Sequence, residues 1–444
     1  MKKTLIIGLD GVPYTLLKDY IKLGILPNFE RILSGNYQLE QMDASIPDVS
    51  STSWTSFMTG VNPGEHGIYG FMELSPNTYK MAFPNFKDVQ SPCIWEIIGK
   101  TAGGKSSTLS GKYASKAGRQ LRSVVLNIPQ TFPALPMNGI MTAGFVCPDM
   151  KRGTYPDAAY EYLKSMQYMS DIDAQKAVTD TEAFFKEAFF ALEKRAEAYR
   201  HFLNNEEWAL FIGVVTETDR LHHFFFDAAF DEGHKYHNTF VTFYKKMDEI
   251  VGRLFDDFMA LTGGEGVFMT MSDHGFTKID KEVYMNAWLQ ESGFLKLNTA
   301  REYYEQIDAG SSAFAMDPAR IYINSDGRYP LGSVKHGDRA GVVADIKARL
   351  LSLNSPSDKP VIKAVYERDE LYNGPATDRA PDLVAVGNDG FDLKGNLKKT
   401  EVFGNSHFKG MHTRHDAHCI MPVGLSHSTR LHIEDLAGMI LEIL

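Results

Sequence analysis

The chain has 444 residues, 43% of them hydrophobic and 23% charged, which is ample for a large buried core and excludes a disordered or low-complexity protein. With 46 Lys and Arg against 56 Asp and Glu the formal net charge is -10, so broad electrostatic capture of nucleic acid or anionic lipid is excluded. An anionic substrate would need a local cation to hold it. Cys93, Cys147 and Cys419 are odd in number and show no C-x-x-C spacing, which points away from a disulfide framework or a thiolate metal site and fits a reducing cytoplasm. The apolar run in MKKTLIIGLDG is broken within a few residues and no stretch of 18 apolar residues follows, so the expectation is a soluble protein without a secretion signal or membrane span.

The first element expected is a strand over TLIIGL (4–9) that stops at Asp10-Gly11, followed by helical cover over residues 14–33 that Pro27 divides. Next comes IPDVSSTSWTSFMTG (46–60), with Ser50, Ser51, Thr52, Ser53, Thr55 and Ser56 crowded around the start of the helix that WTSFMTG would begin, each explicable as a loop residue or a cap. Residues 99–112 read as a flexible loop; the GGKSS within them lacks both the spacing and the preceding strand of a phosphate-cradling P-loop. Further strands are expected in RSVVLNIP (122–129), in WALFIGVVTETD (208–219), which leads into a helical LHHFFFDAAF, and in GVFMTMSDHG (266–275). Near-continuous apolar runs of this kind belong to strands buried on both faces of a mainly parallel sheet.

The ends of these strands carry the chemistry. Asp10, Asp219 and Asp273-His274 follow three of them, and GMHTRHDAHCIM (410–421) adds a dense histidine cluster. Ligands bind at strand ends in open α/β sheets, and carboxylates with imidazoles at one rim suggest metal. Asp219 and His223 stand four apart, so a helix there would put both on one face, with His222 as the substitute. Each feature also has an ordinary reading: Asp10 as a helix cap, Asp273-His274-Gly275 as a turn with a satisfied core histidine, Asp219 and His223 as a surface pair, and His407, His412, His415 and His418 as a solvated loop. Three carboxylates and the histidines together favour metal.

GLDG (8–11), the serine-rich segment with WTSFMTGVNPGEHGI (54–68), TDRLHHFF (218–225), SDHGF (272–276) and GMHT (410–413) resemble the alkaline phosphatase superfamily, and within it the type I phosphodiesterase/nucleotide pyrophosphatase group. VYMNAWLQESGFL (283–295), RIYINSDGRYP (320–330) and ELYNGPATDRAPDL (370–383) are similar to accessory segments of its branch of predicted phosphohydrolases and phosphomutases. The resemblance implies an α/β/α sandwich around a mainly parallel sheet, one catalytic domain over 1–444 with cap segments at about 75–165 and 280–340. It implies two divalent ions, zinc or manganese. Asp219, His223 and His412 would hold the first, with His415 or His418 as replacements for His412. Asp10, Asp273, His274 and a nucleophilic hydroxyl would hold the second. Counting back nine residues from Thr59, as in the diesterase relatives, reaches Ser50, with Ser51 the runner-up.

The expected activity is hydrolysis of a small anionic phosphate ester, diesters before monoesters, through a phosphoryl-serine. The alternatives are a phosphomutase, which returns the phosphoryl group to another hydroxyl of its substrate, and a binding protein that keeps the metal site for structure. Asn127, Thr131, Phe145, Asn286 and Trp288 are candidate pocket walls that serve equally well as core.

Overall fold

The structure, a computed structural model, describes residues 2–101, 103–114, 120–426 and 429–444. The described chain forms two compact units, one of residues 1–62, 85–276 and 412–444, the other of residues 63–84 and 277–411. The two cap segments expected from the sequence divide differently. Residues 75–84 belong to the second unit, whereas the stretch from 85 to 165 lies in the first and contributes strands to its main sheet. The later segment is embedded in the second unit, which runs on to residue 411.

The first unit is built on a nine-stranded sheet. Its strands are β1 (Thr4–Leu9), β2 (Tyr37–Asp43), β3 (Ser123–Ile128), β4 (Gly139–Ala143), β5 (Thr154–Tyr155), β6 (Leu210–Val215), β7 (Val267–Met271), β8 (Ala417–Pro422) and β9 (Leu431–His432). Their order across the sheet is β9-β2-β8-β7-β1-β6-β3-β4-β5. The central run from β7 to β4 is parallel, as the apolar runs predict, and β1, β3, β6 and β7 are buried along their whole length. The antiparallel strand β8 sits between β7 and β2.

Helices flank this sheet: α1 (Tyr14–Lys22), α2 (Pro27–Leu33), α3 (Ser50–Thr59), α4 (Thr181–Asn205), α5 (Glu217–Phe225), α6 (His237–Thr262) and α7 (Asp435–Ile443). Pro27 opens α2, where its missing N–H costs no hydrogen bond, so the expected break falls between α1 and α2. The 99–112 stretch is not wholly loop, since Thr108–Lys112 forms a short helix with Ser107 as its side-chain cap; Ala102 lies outside the described residues. The core joins β1, β3 and β6 to α1, α4 and α6 through residues such as Leu5, Leu17, Val124, Phe184, Phe211, Phe243 and Met247. No helix among the described residues is long and apolar enough to cross a membrane.

The second unit has its own core around Val283, Trp288, Phe314, Ile321, Ile346 and Leu383. A four-stranded antiparallel sheet runs in the order Ala313–Met316, Arg320–Ile323, Leu383–Gly387, Ile362–Glu367, with the helix Arg339–Leu351 packed on it.

Candidate metal centre

Parallel register aligns the carboxyl ends of three neighbouring strands. Leu9 pairs with Val215 across β1 and β6, and Gly8 with Met271 across β1 and β7, so Asp10, Asp273 and the start of α5 emerge at one rim. Gly11 makes the turn after Asp10 possible. Its φ of +66° is the left-handed region that side chains resist, and a Cβ there would come within 2.6 Å of the Phe276 ring. The Gly11 N–H donates to Asp273 Oδ1 at 3.1 Å, tying the two strand ends together.

Helix α3 begins at Ser50, four residues before the tryptophan at which the sequence reading begins it, so Ser50 occupies the first helical position. One turn on, the Trp54 indole packs over Gly8, where a Cβ would meet the ring at 2.4 Å, and its Nε1–H donates to Asp10 Oδ2 at 3.0 Å. Asp10 is thereby turned so that Oδ1 faces Ser50 Oγ at 3.5 Å. Ser50 Oγ also lies 3.2 Å from His274 Nε2. Ser51, the runner-up, is buried with a hydroxyl that makes no hydrogen bond and has no place in this group.

Helix α5 brings the i,i+4 pair together as expected, His223 Nε2 standing 3.4 Å from Asp219 Oδ1. His412 Nε2 is 3.3 Å from the same oxygen and 3.1 Å from His223 Nε2. The other histidines are spoken for elsewhere. His222 is buried between the Gly11 carbonyl, 3.0 Å away, and the Tyr244 hydroxyl, 2.6 Å away. His415 meets Asp43 and Arg430, and His418 is a core residue between the Val12 carbonyl and Thr270. His407 lies tilted against the Phe408 ring in the second unit, with centroids 4.3 Å apart. Candidate ligand atoms of Asp219, His274 and His412 lie within 4.8 Å of one another, as do those of Asp10, Asp273 and His274, so His274 is shared by the two groups.

The electrostatics of this arrangement call for a cation. Asp219 Oδ1 and Asp273 Oδ2 are buried and accept no hydrogen bond. Carbonyl oxygens can only accept, so the contacts of His274 Nδ1 with Gly275 O and His412 Nδ1 with Asp48 O put a proton on each Nδ1 and a lone pair on each neutral Nε2. Those lone pairs face the bare oxygens, His274 Nε2 to Asp273 Oδ2 at 3.3 Å and His412 Nε2 to Asp219 Oδ1 at 3.3 Å. Without an ion, protons take its place. Burial and the charges of Asp273 and Asp219 push the Asp10 carboxyl well above the usual range, and burial above all raises Asp273 to about 7. Burial also penalises the charged forms of Asp219 and His412, but their attraction wins: His223, His412 and Arg220 hold Asp219 well down, and Asp219 draws His412 up. Nitrogen and oxygen donors without sulfur suit zinc or manganese, so the residues fit the ions that the sequence resemblance implies.

The side chains that position Asp219 were not singled out from the sequence, although one of them, Arg220, lies within TDRLHHFF. Arg220 holds Asp219 Oδ2 at 3.1 Å, is itself gripped by Asp171 at 2.8 and 3.2 Å, and lies over the Phe145 ring at 4.2 Å. Behind it, fully buried Arg195 and Glu217 pair at 2.6 Å, and Arg195 also donates to the Tyr168 hydroxyl and the Ser170 carbonyl, fixing the loop that carries Asp171. Of the other wall candidates, Asn127 and Thr131 bond neighbouring main chain, and Asn286 is fully engaged by Ala315 and Gly395. Trp288 is buried in the core of the second unit.

A sequence model of the type I phosphodiesterase / nucleotide pyrophosphatase family matches residues 4–415. The chain belongs to that family. Among curated proteins none matches it significantly. Solved structures share the fold of this family member at low identity. Phosphonoacetate hydrolase from Sinorhizobium meliloti, in complex with phosphonoformate, is 16% identical with a TM-score of 0.63, covering 99% of this chain and 95% of its own. Murine ectonucleotide pyrophosphatase/phosphodiesterase 5 in complex with AMP is 14% identical with a TM-score of 0.56, covering 100% and 95%. The alkaline phosphatase PafA is 14% identical with a TM-score of 0.58, covering 100% and 96%. The alkaline-phosphatase-like α/β fold expected from the motifs is therefore the fold of this chain.

Proposed function

We propose that this phosphoester hydrolase is metal-dependent and acts on small phosphate esters, diesters before monoesters, with Ser50 as the nucleophile. One observation carries the reading: Ser50 Oγ stands within 3.5 Å of Asp10 and His274, beside two buried carboxylate oxygens that no donor satisfies. Asp10, Asp273 and His274 would hold one divalent ion next to Ser50, and Asp219, His223 and His412 a second. Bound there, divalent ions supply Lewis-acid charge that lowers the pKa of a hydroxyl and neutralises phosphoryl oxygens, which removes the difficulty of an acidic protein handling an anion.

The chain's own groups do the rest. Ser50 Oγ forms the bond to phosphorus as the bond from phosphorus to the leaving oxygen breaks, and water later opens the phosphoryl-serine. Trp54 and Gly11 fix the carboxylates of Asp10 and Asp273, and Arg220 leaves a single oxygen of Asp219 facing inward. Ser50 is the first residue of α3, so the positive end of that helix's dipole lies at the nucleophile and favours a phosphoryl anion there.

The test is turnover of the zinc- and manganese-loaded protein on aryl phosphate diesters and monoesters, nucleotides and sugar phosphates. Alcohol release with diesters fastest is the expected result. Isomerised product without hydrolysis would replace the hydrolase by a mutase, and no turnover on any ester would leave the binding-protein reading.

A further inference from the structure

In the second unit, far along the sequence from the residues assigned above, three arginines converge on one carboxylate. Asp382, whose side chain is fully buried, accepts from Arg339 at 2.7 Å and Arg368 at 2.7 Å through Oδ1, and from Arg328 at 3.2 Å and the Ile323 N–H at 2.8 Å through Oδ2. Three guanidiniums here share one buried carboxylate, so among the ion pairs they make the cluster carries more positive than negative charge. Asp369, the other acid acting on Arg368, is exposed, where water screens it. The surplus is felt: burial first, and then repulsion by Arg328 and Arg339, push Arg368 below the usual guanidinium range despite Asp382.

A donor is also left over. Arg368 Nε is buried and has no acceptor. An unsatisfied buried N–H on a charged group is costly, and an oxyanion supplies both the missing acceptor and the missing charge. The cluster is not sealed, since the side chains of Arg328 and Arg339 keep 24% and 33% of their exposure, enough for a solute to reach them. Arg328 also donates to the Arg379 and Ala380 carbonyls and Arg368 to the Ala380 carbonyl, so it is the excess of positive charge and the guanidinium N–H groups left over, chief among them Arg368 Nε, that suit a multiply charged tetrahedral oxyanion better than a carboxylate or chloride.

We infer that Arg328, Arg339 and Arg368, braced by Asp382, form a binding site for a phosphate group, built from residues other than those of the candidate metal centre. The group is supplied either by free inorganic phosphate or by a phosphomonoester.

The test is calorimetric titration of the full-length, metal-loaded protein with inorganic phosphate, compared with Arg339→Gln and Arg328→Gln. Arg339→Gln leaves Asp382 with Arg328, Arg368 and the Ile323 N–H, so the fold has reason to survive; circular dichroism and retained ester turnover check that it does. Both variants should lose one equivalent of bound phosphate, or bind it at least tenfold more weakly, and Arg339→Lys should recover part of the affinity. Sulfate should compete and acetate should not. A second titration with glycerol phosphate, in the Ser50→Ala background to prevent turnover, separates the sources: binding lost in Arg339→Gln assigns the phosphomonoester, and binding of inorganic phosphate alone assigns the free anion. Unchanged stoichiometry and affinity in both glutamine variants, or equal competition by acetate, would overturn the site and leave the arginines as a structural clamp.

Discussion

Replacing Asp273 by asparagine should make the metal-free protein more stable, and increasingly so as the pH rises. Burial raises the Asp273 carboxyl from 3.8 to about 7, so the folded state keeps a proton that the unfolded chain releases. A carboxyl raised in this way contributes its full stability below the unfolded value, and that stability is lost as pH rises through about 7. At about 1.4 kcal/mol per unit, the loss between pH 5 and pH 8 comes to about 3 kcal/mol. Asparagine cannot ionise. It keeps the oxygen that accepts from Gly11, and its amide N–H can donate to the His274 Nε2 lone pair that the carboxylate oxygen faces at 3.3 Å. Burial pushes His66 and His222 down to about 3 and His418 to about 4, and these groups cost stability as pH falls. They are common to both proteins and cancel in the difference. Urea unfolding followed by circular dichroism, on chelator-treated protein at pH 5, 6, 7 and 8, should show the variant's advantage growing by about 3 kcal/mol, and saturating zinc should reverse the order because an amide is the poorer ligand. An advantage that is flat or shrinks with pH would refute the buried, uncompensated carboxylate on which the metal argument rests.

Exhaustive chelation should abolish ester turnover and lower the melting temperature together, and zinc or manganese should restore both; an unchanged rate in protein shown metal-free by elemental analysis would contradict the mechanism. Ser50→Ala should remove nearly all turnover while ion stoichiometry holds, whereas Ser51→Ala should cost at most roughly 2–4 kcal/mol in the barrier; acid quench with labelled substrate and peptide mapping should find the phosphoryl group on Ser50. Glu217→Gln strands the buried Arg195 charge and should destabilise by about 3–5 kcal/mol in urea, more than the double variant Arg195→Met with Glu217→Leu, which buries no charge.

The parallel core was legible because β1, β3, β6 and β7 are buried on both faces, and burial of that kind writes unbroken apolar runs into the chain. Asp10, the Asp219 and His223 pair, and Asp273-His274 could be placed together because strand ends and a helical period of four position them locally, whereas Ser50 came only from the resemblance, through the nine-residue count back from Thr59. His412 could not be separated from His415 and His418 by spacing, since the choice depends on which side chain the paths of β8 and its approach aim at the Asp219 rim. Trp54 carried a usable signal, standing one helical turn after Ser50, yet its bond to Asp10 is set by the long-range packing of α3 over β1. Arg195 and Asp171 left no signal, because their partners lie 22 and 49 residues away and only the folded chain brings them together. The strand at 122–129 was legible as part of the main sheet, but where the flanking 75–165 stretch divides between the two units was not, because that depends on contacts distant in sequence.

The position of β8 has a consequence for synthesis of the protein. Among the described residues β2 pairs only with β8 and β9, so a strand made within the first 43 residues has no neighbour in the sheet until residues 417–432 exist. At roughly 5–20 residues per second that is a wait of about 20–75 s, during which an unpaired strand must avoid other chains on the same messenger. His412 arrives in the same final segment. A chain that stops short of residue 412 lacks both sheet partners of β2 and the imidazole that stands 3.3 Å from Asp219, and it leaves both edges of β2 unpaired, the kind of edge that templates pairing with other chains.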